Sequence, residues 1–170
     1  RDILARSRVG GLVVNKEAIG GNSYNRTFAV DTTLAPHRNF VINSFLAKTE
    51  TPDVSTGDMA GYVSAAWLSP GYRVEAEYTD IQDNFNAEVG FVPRAGIRIS
   101  RLHGEWDPRP GGRWGIRQFD PMWNVTYTTD QNNRLLTRRI HNMIGTYFAD
   151  GSSFIAWYND HFEQLDFALS

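Results

Sequence analysis

The segment Tyr72-Arg73-Val74-Glu75-Ala76-Glu77-Tyr78-Thr79-Asp80-Ile81 is the strongest indication of the fold, because apolar and polar side chains alternate along it from Tyr72 to Thr79. Successive side chains of a β-strand point to opposite faces of the sheet. The alternation therefore predicts a strand with one apolar face, which contains Val74, and one charged face, which contains Glu75 and Glu77.

The same pattern recurs along the chain. Segment 24–34 places Phe28, Val30 and Leu34 on one side and polar residues on the other. Comparable segments, rich in β-branched and aromatic residues, lie at 6–16, 40–49, 59–69, 96–106, 122–129, 135–149 and 154–165. We therefore predict an all-β fold, an antiparallel up-and-down meander of about nine long strands. Several of them reach the roughly 9 to 11 residues with which a tilted strand crosses a bilayer.

The connections between these segments alternate in length along the first six strands. Tight turn signals occur at 35–38, 69–71 and 150–151, whereas the longer polar stretches are 17–23, 50–58 and 82–93. Outer-membrane barrels have short turns on one side and longer loops on the other. Further along the chain, Pro121 interrupts the segment 114–129 and predicts an edge, a bulge or a strand end.

Composition narrows the function classes. The chain has 170 residues, a net charge of −2 and no cysteine. Nucleic acid is therefore not an expected partner, and thiolate metal sites are excluded. The 4 histidines are scattered and do not form a metal-binding spacing such as H-E-x-x-H, so we expect neither a metal nor a cofactor. Continuous apolar runs of roughly 20 residues, which membrane helices require, are also missing.

The run Asn84-Phe85-Asn86-Ala87-Glu88-Val89-Gly90-Phe91-Val92-Pro93-Arg94 carries a resemblance to a known family, supported by stretches 7–10, 45–52 and 115–117. It resembles a bacterial family that joins a module similar to carbohydrate-binding family nine to a C-terminal barrel-like domain. That domain is catalogued as a domain of unknown function, number fifty-nine sixteen. Ala87 stands where the family pattern has proline. The resemblance implies a location in the outer membrane of a Gram-negative-type envelope, and it implies no assigned reaction.

Our first hypothesis is that residues 1–170 form a single segment of a transmembrane β-barrel, incomplete at both ends. Single-chain bacterial barrels have an even number of strands, whereas about nine are predicted here. The expected partners are the lipid bilayer and the remaining strands of the same barrel. The expected role is structural, or the passage or surface binding of a polar solute or glycan, without catalysis.

Two groups of candidate site residues follow from this hypothesis. The long loop supplies weak binding candidates, with a loop folded over the barrel rim as the alternative interpretation: Asn84, Phe85, Asn86, Glu88, Phe91 and Arg94. The charged stripe supplies polar residues that we expect to face the lumen: Arg73, Glu75, Glu77 and Arg98.

Two further hypotheses belong to other classes. The chain could be a soluble β-sandwich that binds carbohydrate, in which the apolar faces of two sheets pack together. It could also be a periplasmic enzyme that cleaves glycosides with Glu75 and Glu77, whose Cα atoms lie about 7 Å apart on one strand face. The tryptophans fall mostly near predicted strand ends, which favours an aromatic girdle over a platform for sugars.

Overall fold

The protein is described by a computed structural model that covers residues 2–4, 6–21, 23–88, 90, 92, 94–111 and 113–165. Ten strands form one sheet in the order of the sequence. They are β1 Asp2–Leu4, β2 Ser7–Glu17, β3 Tyr24–His37, β4 Phe40–Glu50, β5 Met59–Ser69, β6 Tyr72–Ile81, β7 Ile97–Trp106, β8 Ile116–Asp130, β9 Leu135–Phe148 and β10 Ser153–Glu163. A short 3-10 turn, Arg113–Gly115, precedes β8.

Every strand pairs antiparallel with its neighbours in the chain, so the predicted up-and-down meander is confirmed. The nine long strands overlap the nine predicted segments, although β8 begins at Ile116, six residues before its predicted start, and the three-residue β1 was not predicted. Within the described residues the sheet is not closed, since β1 and β10 are its two edges. No helix in the described part of the chain is long and apolar enough to span a membrane.

The connections differ between the two ends of the sheet. We call the end with connections 18–23, 51–58, 82–96 and 131–134 the loop end, and the opposite end the turn end. The turn end has the two tightest connections, 38–39 and 70–71. In its last turn the hydroxyl and the backbone N–H of Ser152 donate to the carboxylate of Asp150, which lowers the pKa of Asp150 below its usual range.

Pro121 lies inside β8 rather than at its end. Its place in the sheet explains this, because β8 pairs with β7 only from Met122 onward and extends beyond the end of β7 at Trp106. At Pro121 the strand has β9 beside it, with Ile144 opposite. A proline is tolerated where a strand has an open side, since its missing N–H interrupts no pairing there.

The sheet has two unlike faces, which the strand register defines. The apolar face carries Val74, Ala76, Tyr78 and the residues opposite them on the other strands. The polar face carries Arg73, Glu75, Glu77 and the residues opposite them. Along β6 the apolar side chains are exposed, whereas Glu75, Glu77 and Thr79 are half-buried. The usual relation between polarity and burial is therefore inverted.

Candidate functional site

The polar face of β6 and β7 carries a dense set of ion pairs. Glu77 Oε2 lies 2.6 Å from Arg101 Nη1, its neighbour across the strands, and Arg73 Nη2 lies 3.1 Å from Glu75 Oε2. Nearer the turn end of β7, His103 Nε2 lies 3.2 Å from Glu105 Oε1. Both candidate catalytic glutamates are thus held in ion pairs with arginines.

The expectation that Arg98 shares the face of Glu75 and Glu77 is wrong. In the register of β6 and β7 it lies opposite Asp80, which belongs to the apolar face, and Arg98 Nε is 3.3 Å from Asp80 Oδ2. The residue opposite Glu77 is Arg101. The error arises because side-chain alternation fixes faces within one strand, whereas the pairing register decides which faces match between strands.

Imidazole and amide side chains form a row across the polar face of the last four strands. His103, Asn124, His141 and Asn159 lie directly opposite one another in turn. The amide nitrogen of Asn124 donates to His103 Nδ1 over 3.4 Å, so His103 Nε2 carries the proton that Glu105 accepts. His141 Nδ1 donates to Asn159 Oδ1. The row is an ordered set of donors and acceptors on an accessible sheet face.

The segment 82–88, which we call the inner loop, crosses the polar face from β6 towards β2. Asn84 donates from its backbone to Gly57 O and from its side chain to Thr56 O, at 2.7 and 2.8 Å. The backbone N–H of Asn86 donates to Thr49 Oγ1 on β4 over 3.2 Å. The contacts of Asn84 are with the connection between β4 and β5, and the contact of Asn86 is with β4, further from the loop's origin at β6.

The far end of the inner loop is fixed on β3 and β2. Asn25 is 2 % exposed, and its amide donates to Asn86 O over 2.7 Å and accepts from the backbone N–H of Glu88. Lys16 Nζ lies 2.6 Å from Glu88 Oε2. Phe85 is buried and packs with Ala47 and Ala60 on the same face. The inner loop therefore covers the loop-end part of the polar face of β2–β5.

The predicted loop candidates have mostly structural contacts. Phe85 and the Asn84, Asn86 and Glu88 backbones hold the loop on the sheet, and Arg94 is exposed. Phe91 lies outside the described residues. A binding role for these residues stays a prediction. The anchors Asn25 and Thr49 were missed in the sequence, where they read as ordinary polar positions of alternating strands.

The four tryptophans on strands divide between the two faces, and Trp114 lies in the 3-10 turn before β8. Trp67, Trp106 and Trp123 lie on the apolar face, towards the turn end, where His37 stacks on Trp67 with ring centroids 5.2 Å apart. Trp157 lies on the polar face of β10 and is 65 % exposed. The positions of Trp67, Trp106 and Trp123 are compatible with the predicted aromatic girdle, whereas the position of Trp157 is not. The girdle itself stays a prediction.

In the described residues no group of three or more histidine, cysteine, aspartate or glutamate side chains is arranged to hold a metal ion. His141 and His161 share the polar face but are diagonal neighbours, because Asn159 is the residue opposite His141. The arrangement is therefore one of paired charges and neutral hydrogen-bonding groups.

Comparisons with protein-family models, with curated proteins and with solved structures found no match to this chain. The family resemblance stated above therefore stays a prediction.

Proposed function

We propose that this chain is a segment of an outer-membrane β-barrel, whose apolar face contacts lipid and whose polar face lines a hydrated interior. Its role is structural, or it lets a polar solute or glycan pass or bind at the surface. Lipid offers no hydrogen-bond partner to a backbone amide, so strands cross a bilayer only when all are paired in a closed cylinder. Further strands of the same barrel would provide that closure.

The observation that carries this proposal is the inverted burial. Exposed large hydrophobic side chains lie mostly on the apolar face, including Val30, Leu46, Val63, Val74 and Leu102. The polar face instead buries Asn25, Thr49 and Ser64. A continuous exposed apolar surface marks a contact with lipid or protein. The described residues form one sheet, so among them no second sheet lies against this surface.

The distribution of charged side chains on the apolar face favours lipid as the partner of this face. On β3–β7, β9 and β10, and on β8 from Gln118 onward, they are confined to the loop end, at Arg26, Lys48, Glu50, Asp80, Arg98, Arg138 and Asp160. From there to the turn end an uncharged band extends, which on β6 runs from Tyr72 to Tyr78 over about 20 Å. Barrel proteins carry an apolar band of roughly 25 Å between polar borders.

Aromatic side chains occupy the turn-end border of this band. Phe40, Trp67, Tyr72 and Trp106 lie on neighbouring strands there, and Phe40 and Trp67 are directly opposite each other. Indole and phenol rings are favoured at the membrane interface because one part of the ring is apolar and another donates a hydrogen bond. The position of this cluster supports a bilayer border at the turn end.

Labelling of engineered cysteines tests the proposal, since the chain contains no cysteine. Single variants Val74→Cys, Glu75→Cys, Ala76→Cys and Glu77→Cys of the intact protein in membranes are exposed to a water-soluble maleimide. We expect labelling at 75 and 77 and protection at 74 and 76. In water the order would reverse, because Val74 and Ala76 are the more exposed side chains. Faster reaction at 74 and 76 would refute the proposal.

Fractionation of the intact protein gives an independent measurement. A barrel should require detergent for extraction and should migrate differently on a gel before and after heating. A water-soluble monomer without heat-dependent mobility would instead favour the carbohydrate-binding sandwich.

A further inference from the structure

Arg139 on the polar face differs from Arg73 and Arg101 in having no counter-ion among the described residues. Arg73 and Arg101 lie within 3.1 Å of glutamate oxygens. Arg139, on the polar face of β9, is exposed and makes no ion pair with any described residue. The residues directly opposite it are Thr126 on β8 and His161 on β10. An accessible guanidinium in this position can bind an anion through two parallel N–H groups.

An exposed indole lies on the same face, near this arginine. Trp157 is opposite Met143, four residues along β9 from Arg139, a distance of about 13 Å. The other strand tryptophans lie on the apolar face, whereas Trp157 lies on the polar face of the edge strand β10, where most side chains are exposed. Such a ring offers a flat apolar surface to a ligand that is itself partly apolar.

Between the indole and the arginine lies the pair His141 and Asn159. His141 Nδ1 donates to Asn159 Oδ1, because an amide oxygen can only accept. This bond leaves the amide nitrogen of Asn159 as a donor and His141 Nε2 as a second polar group, both on exposed side chains. The pair thus presents groups suited to hydroxyls.

We infer that Trp157, Asn159, His141 and Arg139 form a binding site for an acidic glycan. A sugar ring stacks on Trp157, ring hydroxyls bond to Asn159 and His141, and a carboxylate of the next sugar pairs with Arg139. The site rests on the proposed function, in which this face lines a hydrated interior that a glycan can enter. The inner loop leaves the site open, because its described contacts are with β2–β5.

The chain offers a matched control for two of the four side chains, Arg139 and Trp157. Arg138 and Tyr158 are the sequence neighbours of Arg139 and Trp157, and they lie on the opposite face. Arg138 is already paired, with Nη2 3.0 Å from Asp160 Oδ1. Changes at these two residues alter the same strands without altering the inferred site.

The test measures binding of oligogalacturonate, and of the neutral galactose oligomer, to the intact detergent-solubilised protein. Loss of a charge-assisted bond should make Arg139→Gln bind oligogalacturonate at least about tenfold more weakly. Binding of the neutral oligomer should be unchanged, and Arg139→Lys should recover part of the loss. Trp157→Leu should weaken both ligands, whereas Arg138→Gln and Tyr158→Leu should weaken neither.

Two outcomes would overturn the inference: no binding of oligogalacturonate by the wild-type protein, or equal binding by wild type and Arg139→Gln. Heat-modifiable mobility of each variant shows whether the barrel has formed. If the wild-type protein is heat-modifiable but does not bind oligogalacturonate, the inferred site is refuted and the proposed function is not. If the protein is water-soluble and its binding depends on Arg139, the proposed function is refuted and the inferred site is not.

Discussion

The indole of Trp123 lies directly over Gly104 on the neighbouring strand, on the apolar face. A Cβ at position 104 would overlap the indole ring, so the space that a glycine leaves is filled by its neighbour's ring. We expect Gly104→Ala to displace Trp123 and to cost about 1–3 kcal/mol of stability. The temperature at which heat-dependent gel mobility is lost measures this effect.

Gly61→Ala is the matched control, because a Cβ there would make ordinary contacts, 3.6 Å from Leu46 Cδ1. Equal losses for the two glycines would show that the Trp123 contact is not what makes Gly104 necessary.

Ala76 lies in the middle of the uncharged band. If this band contacts lipid, Ala76→Arg should impair membrane assembly, at a cost of about 2–4 kcal/mol near the bilayer centre. Glu77→Gln, one residue away on the polar face, removes a partly exposed ion pair worth up to about 1 kcal/mol and should assemble normally. Assembly is measured as the heat-modifiable fraction in membranes. Equal tolerance of both changes would count against the lipid-facing assignment.

Asn25 is the buried side chain on which the inner loop depends. Asn25→Ala leaves Asn86 O and the Glu88 N–H without their partner, and an unpaired buried group costs about 1–3 kcal/mol. We expect the inner loop to detach, which should raise proteolytic cleavage within 82–88 and, if the chain is part of a barrel as proposed, ion conductance in planar bilayers. Asn15→Ala is the control, since the side chain of Asn15 hydrogen-bonds only to the side chains of Glu17 and Arg26 among the described residues. Unchanged conductance and cleavage in Asn25→Ala would contradict this role of Asn25 in holding the inner loop.

Glu75 and Glu77 provide the test of the enzyme hypothesis. Their ion pairs with Arg73 and Arg101 suit a charged interior surface, so the double variant Glu75→Gln, Glu77→Gln should not change the release of reducing sugar from glycans. A colorimetric assay of intact wild type and variant decides this. Release by the wild type that is lost in the variant would support glycoside cleavage.

Local alternation was enough to predict the strands and their faces, because the identity of each face in β6 depends on neighbouring residues alone. It was not enough to place Arg98, whose partner Asp80 follows from the β6–β7 register. The inner loop was also beyond the sequence, since its position depends on Asn25 and Thr49, far from residue 86 in the chain. Pro121 could not be placed until the end of β7 was known.

The strictly sequential strand order allows the sheet to assemble in the order of the chain. Each strand finds its partners next to it in the chain, so assembly can proceed by adding one hairpin at a time to a growing ribbon. Contacts between residues close in sequence cost less loop-closure entropy than distant ones. At every stage the strand added last has an unpaired edge, and the next hairpin pairs with that edge.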